Sequence, residues 1–304
     1  MHPSLPDYMQ EIGVQIHYRP DLTAAEVPAA LAAHPYDGLM VRSKLRVTRE
    51  LLAHGPHLRY VARAGAGVDN IDEEALAAAG VTLLNAPEGN RDAVGEYALG
   101  LLLALLRNIV RADQEVRAGQ WRREANRGEE LGGKVVGLLG YGHMGRAFAR
   151  RLAAFGCTVL AYDHNPNCVP DQHATLVSLP ELQARAEVLS LHIPYSQANH
   201  HFVNEELLAG FRNPLWLLNT ARGEVLDHAA VVQRLQTGLL RGAALDVLEN
   251  EKLLTLSPEQ QARYDYLRTA PNVILSPHIA GWSFQSYERI NQVLARKIRE
   301  FLSK

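Results

Sequence analysis

The sequence predicts an α/β protein built from two doubly wound parallel sheets, one inserted into the other. Three observations carry this. Across residues 14–87, short apolar or β-branched runs alternate with Ala/Leu-rich stretches of helical period, the pattern of βαβ units. A second series of the same kind starts at Lys134. One helical stretch, residues 286–302, is left over after that series ends, so it is expected to return to the first domain.

In the first domain the expected strands are residues 14–17, 38–41, 60–62 and 81–84. A helix over residues 72–79 separates the last two, with Asp72 as its N-cap and Gly80 as its stop. The opening is irregular for this architecture, because Pro3 and Pro6 and a helix-like stretch come before Val14 where a strand belongs. Either the domain tolerates the loss of that strand, or the chain's true start lies further upstream. Residues 92–118 read as one long helix with Val94, Tyr97, Ala98, Leu101, Leu102, Leu105, Ile109 and Ala112 on one stripe. Leu99, Leu103 and Leu106 make its other side apolar too, which predicts burial all round, between domains or between subunits.

In the second series the expected strands are residues 135–139, 158–162, 188–192, 215–219, 243–247 and 273–275, with a helix over residues 144–155. That is a complete doubly wound domain in outline.

With 304 residues, 47% hydrophobic and 21% charged, the chain has the composition of an ordinary globular protein and the length of two domains. A formal net charge of -2 gives no broad attraction to nucleic acid, so a small-molecule partner is expected. Cys157 and Cys168 stand alone with no Cys-x-x-Cys, so neither a disulfide framework nor a metal site is expected. The start lacks a basic and an apolar leader region, and the longest apolar run, residues 99–106, is far below the roughly 20 residues of a membrane span. The expectation is a soluble cytoplasmic protein.

Residues 135–139 form an apolar strand that runs into Gly140-Tyr141-Gly142-His143-Met144-Gly145 and then a helix. This is the dinucleotide fingerprint: Gly140 for the tight turn, Gly142 for close approach of pyrophosphate, and Gly145 for helix–strand packing, with His143 and Met144 between. Asp163 ends the next strand, 23 residues beyond Gly140, where a carboxylate accepts from ribose hydroxyls and repels a 2′-phosphate. No Arg follows it, so NAD is expected rather than NADP.

Three further strand ends carry candidate chemistry, and the carboxyl ends of strands are where open α/β sheets bind ligands. Arg222, in Asn219-Thr220-Ala221-Arg222-Gly223, offers a guanidinium that grips a carboxylate in a fork, although a surface ion pair is the alternative. Asp246 to Glu251 follow another strand and Ser276-Pro277-His278 a third. A His there can pass a proton near neutral pH, and a carboxylate beside it holds its tautomer and favours the imidazolium. Only its context lifts His278 above the other His residues, 13 in all.

Taken in order, these segments, together with Arg63-Ala64-Gly65-Ala66-Gly67-Val68-Asp69, Asn85-Ala86-Pro87, Ser190-Leu191-His192-Ile193-Pro194 and Ser276 to Gly281, resemble the D-isomer-specific 2-hydroxyacid dehydrogenase family over nearly the whole chain. The resemblance is nearest to the D-3-phosphoglycerate dehydrogenase branch, in a short form without a C-terminal regulatory domain. It implies a Rossmann NAD-binding domain, residues 91–281, inserted into a flavodoxin-like substrate domain, residues 1–90 and 282–304. It implies Arg222 as substrate anchor, Glu251 as partner of His278, and His278 as acid and base. Asp246 would meet the nicotinamide carboxamide, while His192, Pro194, Thr220 and Gly281 line the cofactor and the backbone of Ala66 and Gly67 receives the substrate carboxylate. Arg42 and Arg63 would reach a substrate phosphate, which suits a serine-forming branch. A homodimer through residues 92–118 is implied as well.

Two departures stand out. Lys252 occupies the place of the family's usual Pro after the catalytic Glu, and an unusual insertion follows through Leu267. Glu249 is a rival for the catalytic carboxylate, but Glu251 has the family spacing of five from Asp246. The rival functions are a glyoxylate or hydroxypyruvate reductase, or another D-2-hydroxyacid dehydrogenase. A non-catalytic NAD(H)-sensing protein is a further one.

Overall fold

The computed structural model describes residues 1–304, in two compact units: Met1–Arg91 with Trp282–Lys304, and Asp92–Gly281. The first unit runs α1 (Leu5–Glu11), α2 (Val27–Ala32), β1 (Gly38–Val41), α3 (Arg49–Ala53), β2 (Tyr60–Arg63), α4 (Glu73–Ala78) and β3 (Thr82–Asn85). Its three strands are parallel in the order β1-β2-β3. As expected, Asp72 caps α4, its carboxylate accepting from Ala75 N at 2.8 Å, and Gly80 follows in a left-handed conformation.

The strand expected over residues 14–17 is not formed. The segment has no strand partner, and it lines a cavity together with β1 instead of lying against it. An isolated extended segment gains none of the ladder hydrogen bonds that define a strand.

The long helix is also corrected. α5 spans Pro87–Leu106 and α6 spans Ile109–Arg117, bent by 62° at a break where Asn108 adopts a left-handed φ of 53°. Asn tolerates that conformation better than other residues with a Cβ. The break separates two chemistries: Leu101, Leu102, Leu105 and Leu106 are buried, whereas α6 buries no residue. No single helix is long and apolar enough to cross a membrane.

The second unit continues with β4 (Val135–Leu139), α7 (His143–Leu152), β5 (Thr158–Tyr162), β6 (Thr175–Leu176), α8 (Leu179–Arg185) and β7 (Val188–Leu191). Then come α9 (Glu205–Ala209), β8 (Leu215–Asn219), α10 (His228–Gln236), β9 (Leu240–Leu245), α11 (Pro258–Thr269) and β10 (Val273–Leu275). The sheet is parallel throughout in the order β10-β9-β8-β7-β4-β5-β6, so the strand order reverses at β4. Strands buried on both faces need no polar alternation, and the central β4, β7 and β8 have none. Leu138 and Leu218 pack on one face with Phe148 and Leu102, while Leu139 and Leu217 pack on the other with Leu182 and Val231. β9 lies earlier than the expected 243–247, since Leu240 pairs with Leu215 and the chain turns away after Leu245. The insertion through Leu267 is not a bare loop: Ser257 and Gln260 form a capping box that starts α11.

Finally α12 (Phe284–Leu302) belongs to the first unit. Its Ile290, Leu294 and Ile298 pack with Leu5, Met9, Ala62 and Ala86, and Lys297 Nζ donates to Asn85 O at 2.9 Å.

Candidate active site

In the second unit the candidate residues gather at the carboxyl ends of six strands, β4, β5, β7, β8, β9 and β10. After β4, Gly140 has a φ of 96°, and a Cβ there would sit 2.7 Å from His192 O. Gly142 is the N-cap of α7, with His143 as the first and Met144 as the second helical residue. A Cβ on Gly145 would collide with Gly140 O, so the turn closes only with glycine at both places. Asp163, beyond β5, accepts from Tyr141 N at 2.7 Å and from Asn165 N at 2.9 Å. Its carboxylate thus ties the second strand end to the glycine turn, a role the spacing alone did not reveal. Tyr141 is fixed from behind, donating its hydroxyl to Asp171 at 2.6 Å, and burial pushes its phenol up.

His192 follows β7, and its Nε2 lies 3.0 Å from Ser190 Oγ. Burial pushes its imidazole down to about 4 from 6.5. The folded chain therefore holds His192 neutral, and its contribution to stability is present above pH 6.5 and lost as pH falls towards 4. Over that window the loss reaches about 3 kcal/mol. Denaturant melts at pH 7 and pH 4.5 are expected to differ less for His192→Asn than for the parent chain. Equal pH dependence in the two would show that His192 carries none of it. Pro194, two residues on, is exposed and its carbonyl accepts from Asn199 Nδ2 at 2.9 Å.

Thr220 follows β8, and its buried Oγ1 has no hydrogen-bond partner within the chain. A buried hydroxyl left over at a strand end, in a sheet whose β4 runs into a glycine turn opening a helix, fits a dinucleotide that supplies the missing partner. The residues present therefore fit NAD.

Arg222 stands on the same turn. Asn219 holds that turn from both sides, accepting from Ala221 N at 3.0 Å and donating to Arg222 O at 2.9 Å. Asp246 ends the next strand and is 1% exposed. Its carboxylate accepts from Ser276 Oγ at 2.6 Å, Ile279 N at 3.0 Å and Ala280 N at 2.8 Å, while its carbonyl accepts from His278 N at 2.7 Å. Four bonds thus clamp the turn that carries His278, which itself sits at a φ of 55°. Gly281 closes this segment and the unit.

His278 Nδ1 lies 2.8 Å from Glu251 Oε1, with the two side chains 44% and 48% exposed. The bond to Nδ1 leaves Nε2 as the ring's outward nitrogen. Glu249 is engaged elsewhere: its Oε1 accepts from His228 N at 2.8 Å and lies 3.1 Å from His201 Nε2, and its Oε2 lies 3.8 Å from Arg263 of α11.

In the first unit, Arg42 and Arg63 stand at the ends of neighbouring strands, Val41 being in register with Arg63. Arg42 stacks on Trp282 at 4.9 Å and Tyr287 at 5.4 Å, two aromatic partners that no motif pointed to. Arg63 Nη1 donates to Ala64 O at 3.2 Å. Ala66 and Gly67 are half-buried in the loop after β2, where Asn85 Nδ2 donates to Ala66 O at 2.8 Å.

A parallel sheet with a glycine turn at its switch point, and an Arg and a His–Glu pair on neighbouring strand ends, is the architecture of an NAD-dependent dehydrogenase. Residues 99–280 match the family "D-isomer specific 2-hydroxyacid dehydrogenase, NAD binding domain". The chain is 35% identical over 263 residues to a hydroxypyruvate reductase of Thermotoga maritima, covering 86% of this chain and 83% of that one. It is 37% identical to a D-3-phosphoglycerate dehydrogenase of Mycobacterium leprae over 95% of this chain, but spans only 53% of that relative's length. Among solved structures, a D-lactate dehydrogenase of Aquifex aeolicus complexed with NAD and lactic acid superposes with a TM-score of 0.81 at 27% identity, covering 99% of this chain and 92% of that one. The chain belongs to the D-isomer specific 2-hydroxyacid dehydrogenase family, whose members are NAD-dependent oxidoreductases.

Proposed function

We propose that the protein moves a hydride between nicotinamide and a small D-2-hydroxy or 2-keto acid. The observation that supports this most is the His278–Glu251 bond of 2.8 Å, on a turn clamped by a buried carboxylate. Bound NAD supplies the hydride donor or acceptor. Arg222 grips the substrate carboxylate and polarises the adjoining carbonyl. In reduction, protonated His278 gives the proton on Nε2 to the substrate oxygen; in oxidation it takes that proton back. Glu251 fixes the ring through Nδ1 and balances its positive charge. Asp246 holds the turn and meets the carboxamide, with Thr220, His192, Pro194, Gly281 and the Gly140 loop lining the cofactor.

For the substrate, the reading is 3-phosphoglycerate and 3-phosphohydroxypyruvate, with Arg42 and Arg63 on the phosphate and the backbone of Ala66 and Gly67 on the carboxylate. Two guanidiniums at neighbouring strand ends suit a dianion. A second reading, hydroxypyruvate or glyoxylate reduction, is favoured by the stacking of Arg42 on Trp282 and Tyr287, which occupies that guanidinium without a substrate. Comparing KM for 3-phosphohydroxypyruvate and hydroxypyruvate separates them. The phosphate reading predicts a lower KM for the phosphorylated acid and its loss in Arg42→Ala and Arg63→Ala; equal KM values would leave the plain keto acid.

The protein is read as a homodimer through α5 and α6. Ile109 and Val116 of α6 are 54% and 51% exposed, and Trp121 just beyond is 84% exposed, in keeping with a covered face. The double variant Ile109→Asp, Val116→Asp is expected to sediment as a monomer. A parent chain that is itself monomeric would contradict this.

A further inference from the structure

Glu249, the carboxylate that His278 does not use, joins four segments of the second unit. Its Oε1 accepts from His228 N at 2.8 Å and lies 3.1 Å from His201 Nε2, and its Oε2 lies 3.8 Å from Arg263 Nη2. The Asp227 carboxylate is within 4.8 Å of both His201 and Glu249. The loop after β7, the start of α10, the stretch after β9 and the insertion helix α11 thus meet at one side chain.

Two of these segments adjoin the proposed chemistry. Glu249 stands three residues beyond Asp246, which clamps the His278 turn, and two before Glu251, which bonds His278. On the other side, His201 N donates to Glu224 O, Val203 N to Val225 O and Asp227 N to Val203 O, each at 2.9 Å. These bonds zip the His201 loop onto residues 224–227, which continue the turn that carries Arg222. The Arg222 turn and the Glu249 stretch also touch directly, since a Cβ on Gly223 would collide with the carbonyl of Leu248.

Such a hub is a poor way to gain stability. Glu249 is only 11% exposed, and taking a carboxylate and a guanidinium out of water offsets much of their attraction. What several converging bonds do supply is one fixed geometry. Backbone strain collects at the same place: three residues with a Cβ take a positive φ, and two of them are His278 and His201.

We propose that Glu249 is a positioning residue for the reaction, with His201 and Arg263 as its partners. It pins residues 248–251 against the turn of Arg222, and so keeps the Glu251 carboxylate on Nδ1 of His278. The proposal rests on the roles given above to Glu251 and His278. Glu249 touches neither substrate nor cofactor and acts through Glu251, while Asp246 holds the backbone of the His278 turn independently. Arg263 brings the insertion helix into the same device.

A double-mutant cycle tests this on the full chain at saturating NADH, with hydroxypyruvate or 3-phosphohydroxypyruvate, whichever is reduced faster. Glu249→Ala is expected to lower kcat about tenfold, since a misplacement of about 1 Å costs up to about 10²-fold. KM for the keto acid and Kd for NADH are expected to stay within about twofold, because Asn219 holds the Arg222 turn by itself. In the Glu251→Ala background, with no carboxylate left to position, Glu249→Ala is expected to cost less than about twofold. Glu249→Gln keeps an acceptor for His228 N and is expected to lose less than alanine; it replaces alanine in the cycle should the latter not fold. An equal loss in both backgrounds would overturn the proposal, because it would mean a general loosening. Parental kcat in Glu249→Ala would overturn it too. Parental kcat in Glu251→Ala by itself would place the failure elsewhere, in Glu251 as the partner of His278.

Discussion

His278→Ala is expected to lower kcat/KM for keto-acid reduction by about 10²–10⁴-fold, the usual worth of a positioned acid, while NADH affinity stays unchanged. The two effects separate because the turn is held by its backbone: Asp246 accepts from the amides of Ile279 and Ala280 and from the Ser276 hydroxyl, and none of these bonds involves the imidazole. At a φ of 55°, alanine is strained by roughly 1 kcal/mol where asparagine is tolerated better. His278→Asn therefore serves as the companion variant, and it is expected to be as inactive as the alanine form and more stable. Glu251→Gln is expected to lose less than His278→Ala, because Glu251 acts through the ring. Retention of near-parental kcat/KM by His278→Asn would remove His278 from the chemistry.

Arg222→Ala is expected to raise KM and lower kcat together. Each charge-assisted hydrogen bond to a carboxylate contributes about 1.5–3 kcal/mol, so losing a fork of two corresponds to about 10²–10⁴-fold in kcat/KM. Arg222→Lys keeps the charge but not the planar fork, and should recover only part of the loss. The turn itself is fixed by Asn219, so both variants are expected to fold and bind NADH as the parent does. An unchanged KM in Arg222→Ala would assign substrate anchoring to another group.

The parallel sheets were legible because buried parallel strands leave a dense apolar signal. Residues 135–139, 158–162 and 215–219 stand as expected, each closed by a polar or glycine turn. Position relative to a strand end also singled out Arg222, Asp246 and His278. Contacts between separate segments were not legible. Only the family spacing from Asp246 favoured Glu251 over Glu249, and no local pattern showed the partners of either; the structure gives His278 to the first and His201, His228 and Arg263 to the second. Helical period carried the reading of residues 92–118 through Asn108, since a single left-handed residue leaves the apolar pattern intact. Alternation over residues 14–17 is equally silent about whether a partner strand is there. The aromatic stack on Arg42 joins residues 240 positions apart, which no local pattern records.

Transfer of label from NADH tests the central claim most directly. With NADH deuterated at C4, purified protein is given glyoxylate, hydroxypyruvate, 3-phosphohydroxypyruvate and pyruvate in turn, and the products are read by mass spectrometry and chiral chromatography. The account predicts deuterium on C2 of a 2-hydroxy acid from at least one of them, of D configuration wherever C2 has a handedness, and an initial rate of label transfer about 10²–10⁴-fold lower with His278→Ala. Firm NADH binding with no deuterium delivered to any keto acid would contradict it, and would describe a protein that binds the dinucleotide without using it.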